Sequence, residues 1–125
     1  MDKKRELLPY INGAVELLKV LISTPSMSRE ESDVADRLQT FIERSMPVKF
    51  ELHRHINNIW CIAPGFDASR PTLLLDAHID TVKPTTNWTT PPFTPIVDGD
   101  KITGLGSNDD GASLVTMLYV FYYLC

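Results

Sequence analysis

An apolar run that ends in a histidine and an aspartate constrains this chain more than any other feature. Residues Thr72 to Ala77 are bounded by Pro71 and a polar stretch, a pattern typical of a strand buried in a parallel sheet. Side chains two apart on a strand share a face, so His78 and Asp80 should emerge side by side where the strand leaves the core. An imidazole beside a carboxylate is typical of a metal ligand with the partner that fixes its tautomer. The alternative is a purely structural pair at a strand end.

The composition indicates one globular domain and argues against several classes of partner. The chain has 125 residues, of which 43% are hydrophobic and 22% charged, unlike a disordered or fibrous protein. A net charge of -4 gives no electrostatic basis for binding nucleic acid or an anionic membrane. The two cysteines, Cys61 and Cys125, form no disulfide framework and predict a cytoplasmic protein in a reducing compartment. The N-terminus lacks the pattern of a signal peptide.

Hydrophobic periodicity predicts two N-terminal helices. The first covers Glu6 to Ile22, with one apolar stripe. The second begins at Ser28, where Ser28 and Glu31 fit a capping box, and it stops at Met46-Pro47. The apolar positions that define the two stripes are Leu7, Ile11, Ala14, Leu18 and Leu21, then Val34, Leu38, Phe41 and Ile42.

Short strands are predicted around the apolar run, which gives the chain an α/β character. The candidates are Val48 to Leu52 and Asn58 to Ala63 before it, and a hairpin from Ile96 to Ile102 around Asp98-Gly99 after it. This order supplies at most half of a sheet.

The last fourteen residues, Ala112 to Cys125, carry no charge and no helix stop signal. They are too few to cross a bilayer, which needs roughly 20 apolar residues. A helix that is apolar on all sides is normally buried. We therefore expect the chain to be the N-terminal part of a longer protein.

A glycine turn carries the second group of candidate ligands. In the stretch Gly104-Leu105-Gly106-Ser107-Asn108-Asp109-Asp110, Asp109 stands where a dinucleotide fingerprint would have its third glycine, and a carboxylate there would repel a pyrophosphate. Carboxylates at a helix start can also be simple caps. Combined with His78 and Asp80, however, they form a usable ligand set for Zn²⁺ or a similar ion.

These motifs together resemble a known group of enzymes. The matching residues are Leu73-Leu74-Leu75-Asp76-Ala77-His78-Ile79-Asp80-Thr81-Val82, Trp88, Pro92-Phe93-x-Pro95, Asp98-Gly99, Gly104-x-Gly106-x-x-Asp109 and, near the start, Pro25-Ser26-x-Ser28-x-Glu30-Glu31. In order and spacing they are similar to the zinc amidohydrolases and exopeptidases that include acetylornithine deacetylase, succinyl-diaminopimelate desuccinylase and aminoacylase. The resemblance covers nearly the whole chain.

The resemblance implies roles for three residues. His78 would be a ligand of one metal ion, and Asp109 would bridge two zinc ions, for which Co²⁺ could substitute. Asp80 would be the catalytic carboxylate that orients His78 and sets the electrostatics of the site. A cis peptide bond between Asp109 and Asp110 is also implied. The implied fold is a partial three-layer α/β/α sheet, with residues 1–125 as the N-terminal part of a di-zinc exopeptidase-like catalytic domain.

The implied activity is hydrolysis of the amide bond of an N-acyl amino acid, most similar to that of acetylornithine deacetylase, releasing a carboxylate and a free amino acid. A dipeptidase or carboxypeptidase of the same group is the alternative, and a non-catalytic interaction fragment is a third reading. The implied partners are a small N-acyl amino acid or dipeptide and, in the intact protein, a second copy as a homodimer. Leu105 replaces the usual arginine and Gly111-Ala112 the usual Lys-Gly, which puts the subfamily in doubt more than the metal site.

Several residues that such an enzyme requires have no counterpart in the chain. No glutamate follows Glu51, whereas the related hydrolases transfer protons through a glutamate pair after the bridging aspartate. The later carboxylate and histidine ligands and the dimerisation domain also have no match. Asp110 is adjacent to Asp109 and should point elsewhere. We therefore expect the chain alone to be inactive.

Five further side chains could contribute to function or only to structure. His53 and His55 could share a metal, but a solvated strand end explains them better. Trp88 and Phe93 could shape a substrate cleft or simply anchor a Pro- and Thr-rich loop, and the sequence favours neither. Asp76 could support the site only indirectly.

Overall fold

The computed structural model describes residues 2–47 and 49–125 and combines helices with short strands. The elements are α1 (Lys3–Ile22), α2 (Ser32–Ser45), β1 (Glu51–His55), β2 (Asn58–Ile62), β3 (Ile96–Asp98), β4 (Lys101–Thr103) and α3 (Ala112–Leu124). An irregular turn at Ser107–Gly111 precedes α3, and within it Asp109 and Asp110 have non-helical backbone angles. The predicted mixture of helices and strands is confirmed. The three-layer α/β/α arrangement stays a prediction, because the described ranges form two separate two-stranded sheets.

The core lies where α1 packs against α2 and α3. Helix α1 covers the predicted segment, but its buried residues are Leu17, Leu18 and Ile22. Of the predicted stripe only Leu18 is buried, and Leu7 and Ile11 are 36% and 54% exposed, which corrects the prediction. Helix α3 approaches α1 closely at Gly13, where the Tyr119 ring occupies the space that a Cβ would need. The buried apolar side chains of the core are Leu17, Leu18, Ile22, Leu38, Ile42, Met46, Phe50, Leu114, Val115 and Tyr119.

Helix α2 begins four residues later than predicted, and the capping box is wrong. Its N-cap is Glu31, which makes no side-chain capping hydrogen bond. Ser28 lies outside the helix and donates its hydroxyl to the carboxylate of Asp80. The Glu31 carboxylate accepts a hydrogen bond from the Arg29 amide at 2.6 Å. The residues that suggested a helix cap therefore form a tight turn with a distant partner.

The predicted hairpin around Gly99 is present, and the two strands predicted before the apolar run also pair as a hairpin. Strands β1 and β2 pair antiparallel from Glu51↔Ile62 to His55↔Asn58. Strands β3 and β4 pair antiparallel around Gly99, whose φ of 59° belongs to the left-handed region that glycine tolerates. Strand β1 begins at Glu51, and Val48 at the start of the predicted strand lies outside the described residues.

The apolar run Thr72–Ala77 is not a strand of a parallel sheet in the described chain, which corrects the prediction. Leu73 and Leu74 are 79% and 80% exposed. A groove of about 1220 Å³ lies between this run and β2, and among the described strands β2 pairs only with β1. An apolar pattern reports a tendency to be buried, but a strand also needs a neighbour with free backbone groups. Only Thr81, just beyond the run, forms a parallel bridge, with Met27.

Helix α3 occupies the predicted apolar C-terminal segment. Leu114, Val115 and Tyr119 are buried, whereas Leu124 near its end is 72% exposed. None of the helices in residues 2–47 and 49–125 is long and apolar enough to cross a membrane.

Candidate metal centre

The segment after the apolar run positions His78 and Asp80 as the sequence predicted. The Nδ1 atom of His78 lies 3.0 Å from the backbone carbonyl oxygen of Asp80 and 3.2 Å from its carboxylate Oδ1. A carbonyl oxygen and a carboxylate oxygen can only accept a hydrogen bond, so the two contacts together favour a proton on Nδ1. The other ring nitrogen, Nε2, is left to face the rest of the site.

A compact glycine turn positions Asp109. Gly106 has a φ of 79°, and its carbonyl oxygen accepts a hydrogen bond from the Gly111 amide at 2.9 Å. This closes the turn around Asp109. The peptide bond between Asp109 and Asp110 is cis, as the resemblance implied.

The two predicted ligands meet across these segments. The Nε2 atom of His78 lies 3.0 Å from Oδ1 of Asp109. With the proton on Nδ1, a neutral imidazole would place its Nε2 lone pair against a carboxylate oxygen, so that two acceptors would face each other. Such a contact is favourable only when a proton or a metal cation lies between the two atoms.

The electrostatics of the pair favour positive charge at this point. Partial burial lowers the pKa of the His78 imidazole, but hydrogen bonds to Asp80 and Asp109 and the Asp80 charge outweigh it, so that the pKa is raised above its ordinary value. Both carboxylates are accessible, with the Asp109 side chain 87% exposed. A proton on Nε2 would take the place that a metal cation could occupy.

The Asp80 carboxylate is held in place by a second residue, Ser28. Its Oδ2 atom accepts a hydrogen bond from the hydroxyl of Ser28. This hydrogen bond is the largest cause that lowers the pKa of the Asp80 carboxyl, and partial burial opposes it. Asp80 therefore stays ionised beside His78. Its contact with Ser28 joins two segments 52 residues apart, a relation that no local sequence pattern shows.

Asp110 faces the backbone of His78, and its charge contributes to the raised pKa of the His78 imidazole, which corrects the expectation that it points elsewhere. Its Oδ2 atom accepts a long 3.4 Å contact from the backbone amide of His78. Asp76 lines the groove beside the run and, within the described ranges, forms no hydrogen bond or ion pair with His78, Asp80 or Asp109. In residues 2–47 and 49–125, no group of three or more His, Cys, Asp and Glu side chains is close enough to hold a metal ion.

The remaining candidates lie in structural settings. His53 stacks on Trp60 at a centroid distance of 5.4 Å and contacts the Glu51 carboxylate at 2.9 Å, which fits the structural interpretation of a strand surface. Trp88 lines a separate small cavity of about 280 Å³ in the Pro- and Thr-rich loop. Cys61 faces the groove beside β2, and burial, followed by the neighbouring Cys125 thiol, raises the pKa of its thiol to about 11.

Comparison with known proteins shows a similarity between these motifs and one family. Residues 74–124, which include His78, Asp80 and Asp109, match peptidase family M20/M25/M40. The chain is similar to this peptidase family. The resemblance expected from the sequence motifs is thereby confirmed.

Curated relatives agree with this family match. A succinyl-diaminopimelate desuccinylase of Delftia acidovorans is 29% identical over 118 residues, which cover 86% of this chain and 30% of the relative. A protein of the same name from Blochmanniella floridana is 33% identical over 113 residues, covering 86% and 29%. A peptidase M20 domain-containing protein of Schizosaccharomyces pombe is 30% identical over 125 residues, covering 96% and 29%. The chain thus spans about 30% of the length of these relatives.

Proposed function

We propose that this chain is the N-terminal part of a metal-dependent hydrolase that cleaves the amide bond of an N-acylated amino acid. The observation that carries the proposal is the 3.0 Å approach of His78 Nε2 to Asp109 Oδ1, inside the stretch that matches the peptidase family. The desuccinylase names of two relatives favour an N-succinyl substrate over the N-acetylornithine that the sequence motifs first suggested. Acetylornithine deacetylase and dipeptidase activity stay predictions.

The donor atoms fit part of a zinc site. Imidazole nitrogen and carboxylate oxygen are both common zinc ligands, at about 2.0–2.2 Å from the metal. Two such ligands of a tetrahedral ion lie about 3.3 Å apart. The observed separation of 3.0 Å between His78 Nε2 and Asp109 Oδ1 therefore needs to widen by only a few tenths of an ångström. A cation between these two atoms would also remove the unfavourable contact of two hydrogen-bond acceptors.

Each residue then has a specific task. His78 would donate its Nε2 lone pair, and Asp109 would offer two carboxylate oxygens, enough to contact two ions. Asp80 would keep the Nδ1 proton in place and preserve the ligating tautomer. When bound, zinc would supply Lewis acidity that polarises an amide carbonyl and makes water more acidic. The exposure of the Asp109 side chain leaves room for a substrate.

The half-site needs further residues to become a catalyst. Two donors leave the coordination of each ion incomplete, and no glutamate after Glu51 is available to transfer the proton. We propose that a protein of the relatives' length supplies the missing ligands and base, and that it acts on a small N-acylated amino acid. A homodimer of that longer protein is a further expectation of the resemblance.

A chimera tests whether this chain supplies a working half-site. The chain would replace the matching N-terminal stretch of the Delftia acidovorans desuccinylase, and hydrolysis of the succinyl substrate would be measured in zinc-containing buffer. His78→Ala and Asp109→Ala should each lower kcat by at least 1000-fold, whereas the matched control His53→Ala should change it less than twofold, order-of-magnitude expectations for lost metal ligands. A folded chimera in which His78→Ala stays active would contradict the proposal.

The purified chain provides a second test that does not depend on the chimera. With added Zn²⁺ it should hydrolyse neither N-succinyl nor N-acetyl amino acids, because it lacks the proton-transferring base. Turnover that depends on the chain would show that a complete site is present and would refute the half-site assignment.

A further inference from the structure

The structure assigns Ser28 as a positioning residue that holds Asp80, and through it the His78 ring, in the orientation required for metal binding. This inference rests on the proposed function, because it concerns the same site. It starts from one contact, in which the Ser28 hydroxyl donates to Oδ2 of Asp80 while Oδ1 of the same carboxylate faces Nδ1 of His78. The two oxygens of one carboxylate thus connect Ser28 to the imidazole.

The Ser28 hydroxyl is fixed by its own backbone. Ser28 lies in a tight turn closed by a 2.8 Å hydrogen bond from the Glu30 amide to the Met27 carbonyl oxygen. Within this turn Arg29 adopts a left-handed φ of 76°, a conformation that residues with a Cβ rarely adopt. Its amide is held by the Glu31 carboxylate at 2.6 Å. A turn constrained in this way presents the hydroxyl in one direction.

The hydroxyl is not needed to join the two segments. The Ser28 amide already donates to the Thr81 carbonyl oxygen at 3.1 Å, and the Thr81 amide donates to the Ser26 carbonyl oxygen at 2.8 Å. These backbone bonds connect the turn to the segment that carries Asp80, whatever side chain stands at position 28. The side-chain hydrogen bond therefore adds orientation of the carboxylate rather than attachment.

Orientation of Asp80 decides which ring nitrogen is free. If the carboxylate rotates away, Nδ1 keeps only the Asp80 carbonyl oxygen as an acceptor, and the tautomer with the proton on Nε2 becomes competitive. That tautomer cannot donate an Nε2 lone pair to a metal. Residues that orient a metal-ligating histidine typically change metal affinity by 10–100-fold when mutated. Because Ser28 acts one contact further out, the lower end of that range, about tenfold, is expected.

The test compares variants of the whole chain in two measurements. Long-range ¹H–¹⁵N NMR of the neutral His78 ring reports the tautomer without metal, and isothermal titration with ZnCl₂ reports metal affinity. Ser28→Ala should produce mixed tautomers and about tenfold weaker zinc binding, and Ser28→Thr should restore both because it keeps the hydroxyl. Ser69→Ala is the matched control, since Ser69 donates to Asp67 Oδ1 at 2.7 Å in another exposed loop.

Each outcome decides the assignment. Unchanged His78 tautomers in Ser28→Ala would overturn it, as would a Ser28→Thr variant that behaves like alanine. If Ser28→Ala unfolds, Ser28→Thr is compared with Ser28→Val, because threonine and valine have the same shape and only threonine carries the hydroxyl. The same proportion of His78 tautomers in these two variants would overturn the assignment. If the unmodified chain binds no zinc at His78, the proposed function fails, while the metal-free tautomer measurement still tests Ser28.

Discussion

Replacing Gly106 with alanine should destabilise the chain by two separable effects. Gly106 has a φ of 79°, and a left-handed conformation costs a residue with a Cβ about 1–2 kcal/mol. The added Cβ would also lie 2.7 Å from Cγ2 of Thr81, closer than carbon atoms normally approach. Relief of such overpacking typically costs about 1–3 kcal/mol. The expected total is about 2–5 kcal/mol of unfolding free energy.

Two companion variants separate the effects. Gly99→Ala is the matched control, because Gly99 has a φ of 59° but nothing within 4 Å of an added Cβ, so that only the conformational cost of about 1–2 kcal/mol should appear. Thr81→Ser removes the Cγ2 methyl group. In the Gly106→Ala background it should therefore recover the part caused by overpacking, about 1–3 kcal/mol.

Urea unfolding followed by circular dichroism measures these differences, with the slope of the transition as a check that the unfolded state is unchanged. The reasoning fails if Gly106→Ala costs no more than Gly99→Ala. It fails equally if Thr81→Ser gives no recovery, because the close approach of the glycine turn to the Thr81 segment would then not constrain the position of Asp109.

Three further predictions concern the core, the groove and the site. Leu17→Ala, at a fully buried position, should lower the unfolding free energy by about 2–5 kcal/mol, whereas Leu74→Ala, 80% exposed, should change it by less than about 0.5 kcal/mol in the same urea assay; similar losses would mean that the apolar run is buried. The raised pKa of about 11 reduces the Cys61 thiolate population at pH 8 about 100-fold. The Cys61 thiol should therefore react far more slowly with iodoacetamide in native protein than in urea-unfolded protein, and equal rates at Cys61 would contradict its burial. The pKa of the metal-free His78 imidazole should exceed its ordinary value of 6.5. Its contacts with the neighbouring carboxylates then stabilise the fold fully below pH 6.5, and this contribution disappears as the pH rises through the folded pKa. A titration midpoint of the His78 NMR signal at or below 6.5 would contradict this.

Local patterns in the sequence predicted the elements whose causes are local. Helix α1 and the Asp98-Gly99 turn each depend on residues a few positions apart, and both are present, although Leu7 and Ile11 of the predicted α1 stripe are exposed. The spacing of His78 and Asp80 also follows from local geometry. The meeting of His78 with Asp109 was expected because the two motifs together supply a usable set of metal ligands and resemble one family, and the structure brings the two side chains to 3.0 Å.

Long-range relations account for what the sequence did not predict. Ser28 and Glu31 match a capping box, but the Ser28 hydroxyl donates to Asp80, 52 residues further along the chain. A local pattern shows only the nearby backbone amides as partners, so it cannot predict that the hydroxyl binds a distant carboxylate instead. The apolar run before His78 has the composition of a buried strand, yet in the described ranges no strand pairs with it. Composition shows what a segment tends to do, whereas pairing depends on which neighbour is present.

Zinc titration of the chain, followed through its three histidine rings by NMR, tests the central claim most directly. If His78 and Asp109 form half of a metal site, added Zn²⁺ should shift the Nε2 signal of His78 and leave His53 and His55 unchanged, and Asp109→Ala should abolish the shift. A response confined to His53, or a His78 signal that ignores zinc at millimolar concentration, would show that these two residues do not share a metal ion.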